Sequence, residues 1–129
     1  MPNLSMRRDE LYLNDIIEAA DHIATFLEQT HFEGFQQSEL VRSAVVQKLA
    51  IIGEAAARIS DDLTGRYPRI PWPQIVAFRN ILIHAYFGID WNEVWKASKV
   101  DCPALRGQVA DILATEFGGP AAETYSRNC

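Results

Sequence analysis

The sequence has no apolar run that approaches the roughly 20 residues of a membrane-spanning helix. Its opening residues, MPNLSMRRDELYLND, pass from two arginines into acidic residues without an intervening apolar segment, so they do not resemble a secretory signal. Neither a membrane anchor nor an exported protein is therefore expected. The sequence predicts a protein of the cytoplasm.

Cysteine is also scarce, because Cys102 and Cys129 are the only two and they lack the CxxC spacing of a zinc site. Cys129 ends the sequence beyond a Gly-Gly-Pro break, so a disulfide with Cys102 is not expected. We predict a reduced protein without a bound metal or cofactor. The sequence also has no glycine-rich phosphate loop, so the chain is not expected to be a nucleotidyltransferase.

Positive charge is in deficit, with a formal net charge of −5 over 129 residues. Binding to nucleic acid is mainly electrostatic, so this charge argues mildly against RNA or DNA as a partner. It does not exclude them, since a local cationic cleft can act within an acidic protein.

Alternating strand patterns are absent as well, and apolar residues instead recur at helical spacing. The chain length suits one domain. We predict an all-α fold, a small up-and-down bundle, with a helical domain over residues 1–117 and a flexible C-terminal tail over residues 118–129. The predicted helices span 9–29, 40–60 with Ser38 as a cap, 72–86, a segment starting near Asp90, and 101–117 with Asp101 as a cap. The segment 61–73, which contains three prolines and a glycine, is predicted to be a loop.

The predicted helix 72–86 carries an apolar stripe and an opposite polar face. Asn80 and His84 are neighbours at i, i+4 on the polar face, and Arg79 and Tyr86 are neighbours at i, i+7. The stripe predicted to face the core consists of Phe78, Ile81, Leu82 and Ala85.

Two β-branched residues, Val76 and Ile83, interrupt the polar face. A solvated helix face does not usually place such residues at its centre, so another surface is expected to cover it. A second copy of the chain is the simplest cover, because most homo-oligomers are two-fold dimers.

The polar residue types suit cleavage of RNA without a metal ion. Arg79 can bind a phosphate with its planar fork, His84 can transfer a proton near neutral pH, and Asn80 can orient either group. The expected product is a 2′,3′-cyclic phosphate. Such residues also commonly serve in capping, ion pairing and packing, and their spacing alone does not separate the two interpretations.

Several segments of the sequence are familiar. The stretch RNILIHAY, from Arg79 to Tyr86, has the form R-N-x-x-x-H-x-Y and resembles the motif of HepT-like proteins in the HEPN superfamily. IIGEAAARIS, YPRIPWPQIVAFRN and YFGIDWNEVW also resemble segments of that family, in the same order, so the similarity extends from about Arg8 to Phe117.

The resemblance implies a four- to five-helix HEPN bundle that forms a homodimer with a metal-independent endoribonuclease site at the dimer cleft. It implies a toxin of a type II toxin–antitoxin system, paired with an MntA-like minimal nucleotidyltransferase as antitoxin, in a complex that can be larger than the dimer. By this resemblance Arg79 and His84 are catalytic, Asn80 supports them, and Tyr86 is the residue that the antitoxin AMPylates.

Some residues outside the motif have two interpretations each. Gly53 is expected to permit the close approach of a neighbouring helix, whereas Glu54 either forms a surface ion pair or lies near the cleft and orients Arg79 or His84. Three arginines extend RNA or partner binding or belong to a solvated surface, namely Arg58, Arg66 and Arg69. The alternative function is a non-catalytic helical dimer that binds and is modified by a nucleotidyltransferase.

Overall fold

The structure is a computed structural model that describes residues 4–119. Within these residues every regular element is helical, so the predicted all-α fold is confirmed. The helices are α1 (Leu4–Leu27), α2 (Phe32–Gln37), α3 (Glu39–Arg58), α4 (Asp61–Arg66), α5 (Trp72–His84), a 3₁₀ turn (Tyr86–Gly88), α6 (Trp91–Lys96), a π-helical turn (Ala97–Asp101) and α7 (Cys102–Phe117). Apart from Gly118 and Gly119, the predicted tail lies outside the described residues.

Four long helical units form the bundle, in agreement with the expected HEPN architecture. Helix α1 packs against α3 and α7, and α5 packs against α3. Their apolar stripes meet in one core, which includes Leu13, Ile16 and Ile23 of α1, Val45 and Ile52 of α3, and Val109, Ile112 and Leu113 of α7. None of the described helices is long and apolar enough to cross a membrane.

The predicted starts of two helices are confirmed by their capping contacts. The Ser38 hydroxyl accepts a hydrogen bond from the Val41 amide at 3.1 Å, and the Asp90 carboxylate accepts one from the Asn92 amide at 2.9 Å. Each contact satisfies a backbone N–H that has no partner inside its helix. These local signals therefore mark where α3 and α6 begin.

The prediction of a loop over 61–73 is wrong in its first half, where α4 forms. All three prolines of this segment follow α4, so none of them interrupts its hydrogen bonds. Ser60 caps α4 through a hydrogen bond from the Leu63 amide at 3.3 Å. The buried Asp9 of α1 accepts hydrogen bonds from the Ser60 amide at 2.8 Å and from its hydroxyl at 2.6 Å, and this tertiary contact holds the cap in place.

The predicted helix boundary at Asp101 is also wrong. Asp101 has helical backbone angles and its side chain caps nothing, because α6 continues through the π-helical turn directly into α7. Pro103 lacks an amide N–H and normally disturbs a helix at such a position. The π-helical turn just before it changes the hydrogen-bond register, and the chain therefore stays helical past the proline.

Candidate active site

Helix α5 packs closely against α3 at Gly53, which is buried in α3. A Cβ atom at this position would lie 2.7 Å from Cγ of Arg79, closer still to the Arg79 Cβ, and 3.4 Å from the carbonyl oxygen of Ile75. Glycine has no Cβ, so it alone lets the two helices approach this closely. The prediction that Gly53 permits a close helix approach is confirmed.

This close contact places Glu54 beside Arg79. Arg79 Nη1 donates a hydrogen bond to Glu54 Oε2, in an ion pair that joins α3 to α5. Only 19% of the Arg79 side chain is exposed, so protein atoms surround most of it. The contact is compatible with both interpretations of Glu54, since an ion-pair partner of Arg79 is also in a position to orient it. Its role in a reaction stays a prediction.

Glu54 also binds a second arginine, Arg58, one turn later in α3. Glu54 Oε1 accepts a hydrogen bond from Nε of Arg58 at 2.9 Å and forms an ion pair with its Nη2 at 2.8 Å. The Arg58 hydrogen bond, aided by the charge of Arg79, lowers the pKa of the Glu54 carboxyl below its usual value. Glu54 is therefore ionised at neutral pH and is not a proton donor. The i, i+4 spacing of Glu54 and Arg58 is the sequence signal for this pair.

His84 and Asn80 lie one turn apart in α5, and both side chains are exposed. Within residues 4–119 neither side chain has a hydrogen-bond partner. His84 follows Arg79 by five residues, which corresponds to about 7.5 Å along the helix axis. The structure thus presents an accessible imidazole on the same helix as a firmly held guanidinium.

Tyr86 lies outside α5, which ends two residues earlier than predicted. Ala85 departs from helical backbone angles, and Tyr86 begins the 3₁₀ turn. Its ring packs edge-on against Trp91, with 6.0 Å between ring centroids, and against Phe87 at 5.8 Å. The predicted i, i+7 relationship between Tyr86 and Arg79 on a continuous helix is therefore wrong, because the helix does not reach Tyr86.

The predicted core stripe of α5 is wrong in part. Ile81 is 52% exposed and Ala85 is exposed, whereas Leu82 is buried and Phe78 is half-buried. The main partner of α5 is α3 alone, so only a narrow side of α5, which includes Ile75, is covered.

Ile83 of α5 and Phe87 of the 3₁₀ turn are uncovered apolar residues, which we call the α5 face. Ile81 is also exposed, but it lies about 200° from Ile83 around the helix and is not part of this face. Ile83 is 51% exposed and Phe87 is fully exposed. Exposed apolar residues that lie close together often mark an interaction surface. A covering second copy of the chain stays a prediction.

A cavity of about 310 Å³ lies between α3, α5 and the α6–α7 unit, with Leu49, Phe78 and Leu105 among its lining residues. None of Glu54, Arg79, Asn80, His84 and Tyr86 lines it, so the cavity is separate from the candidate site. Among the residues that the structure describes, no group of three or more histidine, cysteine, aspartate or glutamate side chains could hold a metal ion.

Residues 16–112 match the profile of the family described as ribonuclease HepT-like. The chain belongs to the HepT-like ribonuclease family. The match runs from α1 into α7 and includes the packed α3–α5 contact, the Glu54–Arg79 ion pair and His84. The family resemblance inferred from the motif is therefore confirmed.

Individual HepT-like relatives agree with this assignment. A protein of Methanocaldococcus jannaschii, named as a candidate RNase, is 39% identical over 106 residues, which cover 82% of this chain and 97% of that protein. A protein of Thermococcus cleftensis, named as a candidate ribonuclease HepT, is 42% identical over 97 residues, covering 75% of this chain and 88% of that protein. No solved structure gives a significant match.

Proposed function

We propose that this HepT-like protein is a metal-independent endoribonuclease in which Arg79 and His84 are catalytic and Asn80 supports them. The observation that carries the proposal is the presence of a partly buried, ion-paired Arg79 and an accessible His84 on one helix. Family membership and the names of the relatives support the same activity.

The proposed reaction needs only the RNA and these side chains. The 2′-oxygen of one nucleotide loses its proton and bonds to the adjacent phosphorus, while the bond from phosphorus to the 5′-oxygen of the next nucleotide breaks and that oxygen gains a proton. His84 is the motif residue that can take the first proton or supply the second. Arg79 stabilises the negative charge that develops on the phosphate oxygens. The products are a 2′,3′-cyclic phosphate and a 5′-hydroxyl.

The candidate site carries a local positive charge, although the net charge of the whole chain is −5. Arg58 and Arg79 surround the single carboxylate of Glu54, which leaves one positive charge in excess. We propose that a homodimer covers the α5 face and brings two such sites together, which would raise the positive potential further. The same dimer is the unit that would join a partner in a larger complex, in the cytoplasm.

The test is incubation of end-labelled single-stranded RNA with purified protein in the presence of EDTA. We expect cleavage, with fragments that end in a 2′,3′-cyclic phosphate and begin with a 5′-hydroxyl. Protein with His84→Ala, purified in parallel, controls for contaminating ribonucleases. If unmodified wild-type protein cleaves no RNA in a broad panel, the endoribonuclease proposal is wrong.

We further propose that the protein is a toxin and that an MntA-like nucleotidyltransferase is its antitoxin, which AMPylates Tyr86. Tyr86 is exposed in the turn after α5, and its hydroxyl makes no hydrogen bond within residues 4–119. An enzyme that transfers AMP from ATP can therefore reach it. The added phosphate would be carried two residues from His84, and its negative charge would repel the RNA phosphate there.

This modification predicts a specific result for Tyr86→Phe. Incubation with ATP and the nucleotidyltransferase should add AMP to the wild-type protein and stop cleavage, whereas Tyr86→Phe should gain no AMP and continue to cleave. Mass spectrometry and the RNA assay measure the two effects. Tyr67→Phe is the matched control, because the Tyr67 hydroxyl already donates a hydrogen bond to Glu116 at 2.7 Å and is not the expected target. Detection of AMP on the Tyr86→Phe variant would show that another residue is modified.

The second candidate function is a non-catalytic dimer that binds the nucleotidyltransferase and is modified by it. The exposed α5 face and the acidic net charge favour this alternative. It predicts AMP addition to Tyr86 without any cleavage that depends on His84.

A further inference from the structure

One carboxylate holds two arginines from two helices in this structure. Glu54 Oε1 binds Arg58 of α3, and Glu54 Oε2 binds Arg79 of α5. We infer that Arg58 binds the RNA phosphate next to the one that Arg79 and His84 engage. This inference rests on the proposed function, because it assigns a substrate contact to the same site.

The two arginines differ in their accessibility. The Arg58 side chain is 58% exposed, whereas that of Arg79 is 19% exposed. Glu54 holds Nε and Nη2 of Arg58 on one edge of its guanidinium group, so the fork has a defined orientation. An oriented and accessible guanidinium group suits a phosphate, which arginine binds through parallel hydrogen bonds.

The packing of α3 and α5 sets the order of these groups along the helix axes. Trp91 contacts both Arg42, near the start of α3, and Tyr86, just after the end of α5. The two helices are therefore antiparallel, and Arg58 lies beyond Arg79 on the side away from His84. Along the helix axes the order is His84, then Arg79 beside Glu54, then Arg58, over on the order of 13 Å. We infer that a strand of RNA that runs in this direction meets Arg58 as a second cation next to the reacting phosphate.

Stabilisation of the fold is a weak explanation for the presence of Arg58. An exposed i, i+4 ion pair such as Glu54–Arg58 contributes little to stability. Arg79 alone would be neutralised by Glu54, whereas Arg58 supplies the excess positive charge of this cluster. A chain with a net charge of −5 needs such a local excess to hold RNA.

Arg66 provides a matched control for Arg58. Both arginines stand in the last turn of a helix and pair with an acidic residue four positions earlier, which is Asp62 for Arg66. Arg66 is 44% exposed, and its second partner is Glu116 of α7 rather than a residue of the candidate site. Its removal changes the net charge equally without removing an arginine from Glu54.

The experiment measures RNA affinity at increasing salt by fluorescence anisotropy, with the full chain carrying His84→Ala so that RNA is bound but not cut. Arg58→Gln should weaken binding several-fold and lower the slope of log K against log salt by about 0.7, the value for one lost phosphate contact on a single strand. Arg66→Gln should leave the slope unchanged. Arg58→Lys retains the charge and should restore the slope, which a purely structural role would not require.

Two results would overturn the inference in different ways. If Arg58→Gln and Arg66→Gln give the same slope as the parent protein, Arg58 does not contact a phosphate, and the proposed function still stands when the protein with His84 cleaves RNA. If the parent protein binds no RNA and the wild type cleaves none, both the proposed function and this inference are wrong.

Discussion

Replacing His84 with alanine is expected to lower the rate of RNA cleavage by roughly 100- to 10,000-fold, the usual contribution of a positioned acid–base group. The His84 side chain is exposed and makes no hydrogen bond within residues 4–119, so its removal should leave the fold intact. Single-turnover cleavage measures the loss, and circular dichroism confirms that the helices remain. Expression of the variant should also relieve the growth defect expected of a toxin.

His31→Ala is the control for this substitution. His31 is another exposed histidine, at the start of α2, and its side chain makes no capping hydrogen bond. Its replacement should leave the cleavage rate within about two-fold of the wild type, as expected for a surface residue away from the site. Cleavage at the wild-type rate by His84→Ala would show that the catalytic assignment is wrong.

The second large effect is expected at Gly53, where Gly53→Ala should lower the free energy of unfolding by about 2–3 kcal/mol. The new Cβ would collide with Cβ and Cγ of Arg79. Rotation of the Arg79 side chain cannot move its Cβ, so α3 and α5 must separate. This separation displaces Glu54 from Arg79, and cleavage should fall by roughly 100-fold because the guanidinium shifts from the phosphate.

Urea denaturation measures the stability change, and the corresponding fall in Tm is expected to be roughly 10 °C. Activity is compared at a temperature where both proteins are folded, so that the two effects are separated. Gly107→Ala is the control, since Gly107 lies in the exposed part of α7 and a Cβ there meets no atom within 4 Å. That variant should be more stable by about 0.5–1 kcal/mol. If Gly53→Ala is as stable and as active as the wild type, the close α3–α5 contact is unnecessary for stability and cleavage.

Much of the fold could be predicted from local signals. The helical period of α1 and α3, the caps at Ser38 and Asp90, and the order of the motif residues each depend on residues that lie within a few positions of one another. The short helices α2 and α4 were missed because their anchors are distant in sequence. Ser60 is held by Asp9, and Phe35 of α2 packs against Trp91 and Trp95.

The same distinction between local and distant residues applies to the candidate site. The sequence alone determined the all-α class, the family and the presence of Arg79, Asn80, His84 and Tyr86 in one short segment. Only the tertiary structure decided where α5 ends, which side of it is covered, and that Glu54 holds both Arg58 and Arg79. Helical periodicity describes neighbours along one helix, whereas the Glu54–Arg79 ion pair joins residues 25 positions apart and depends on how closely two helices pack at Gly53.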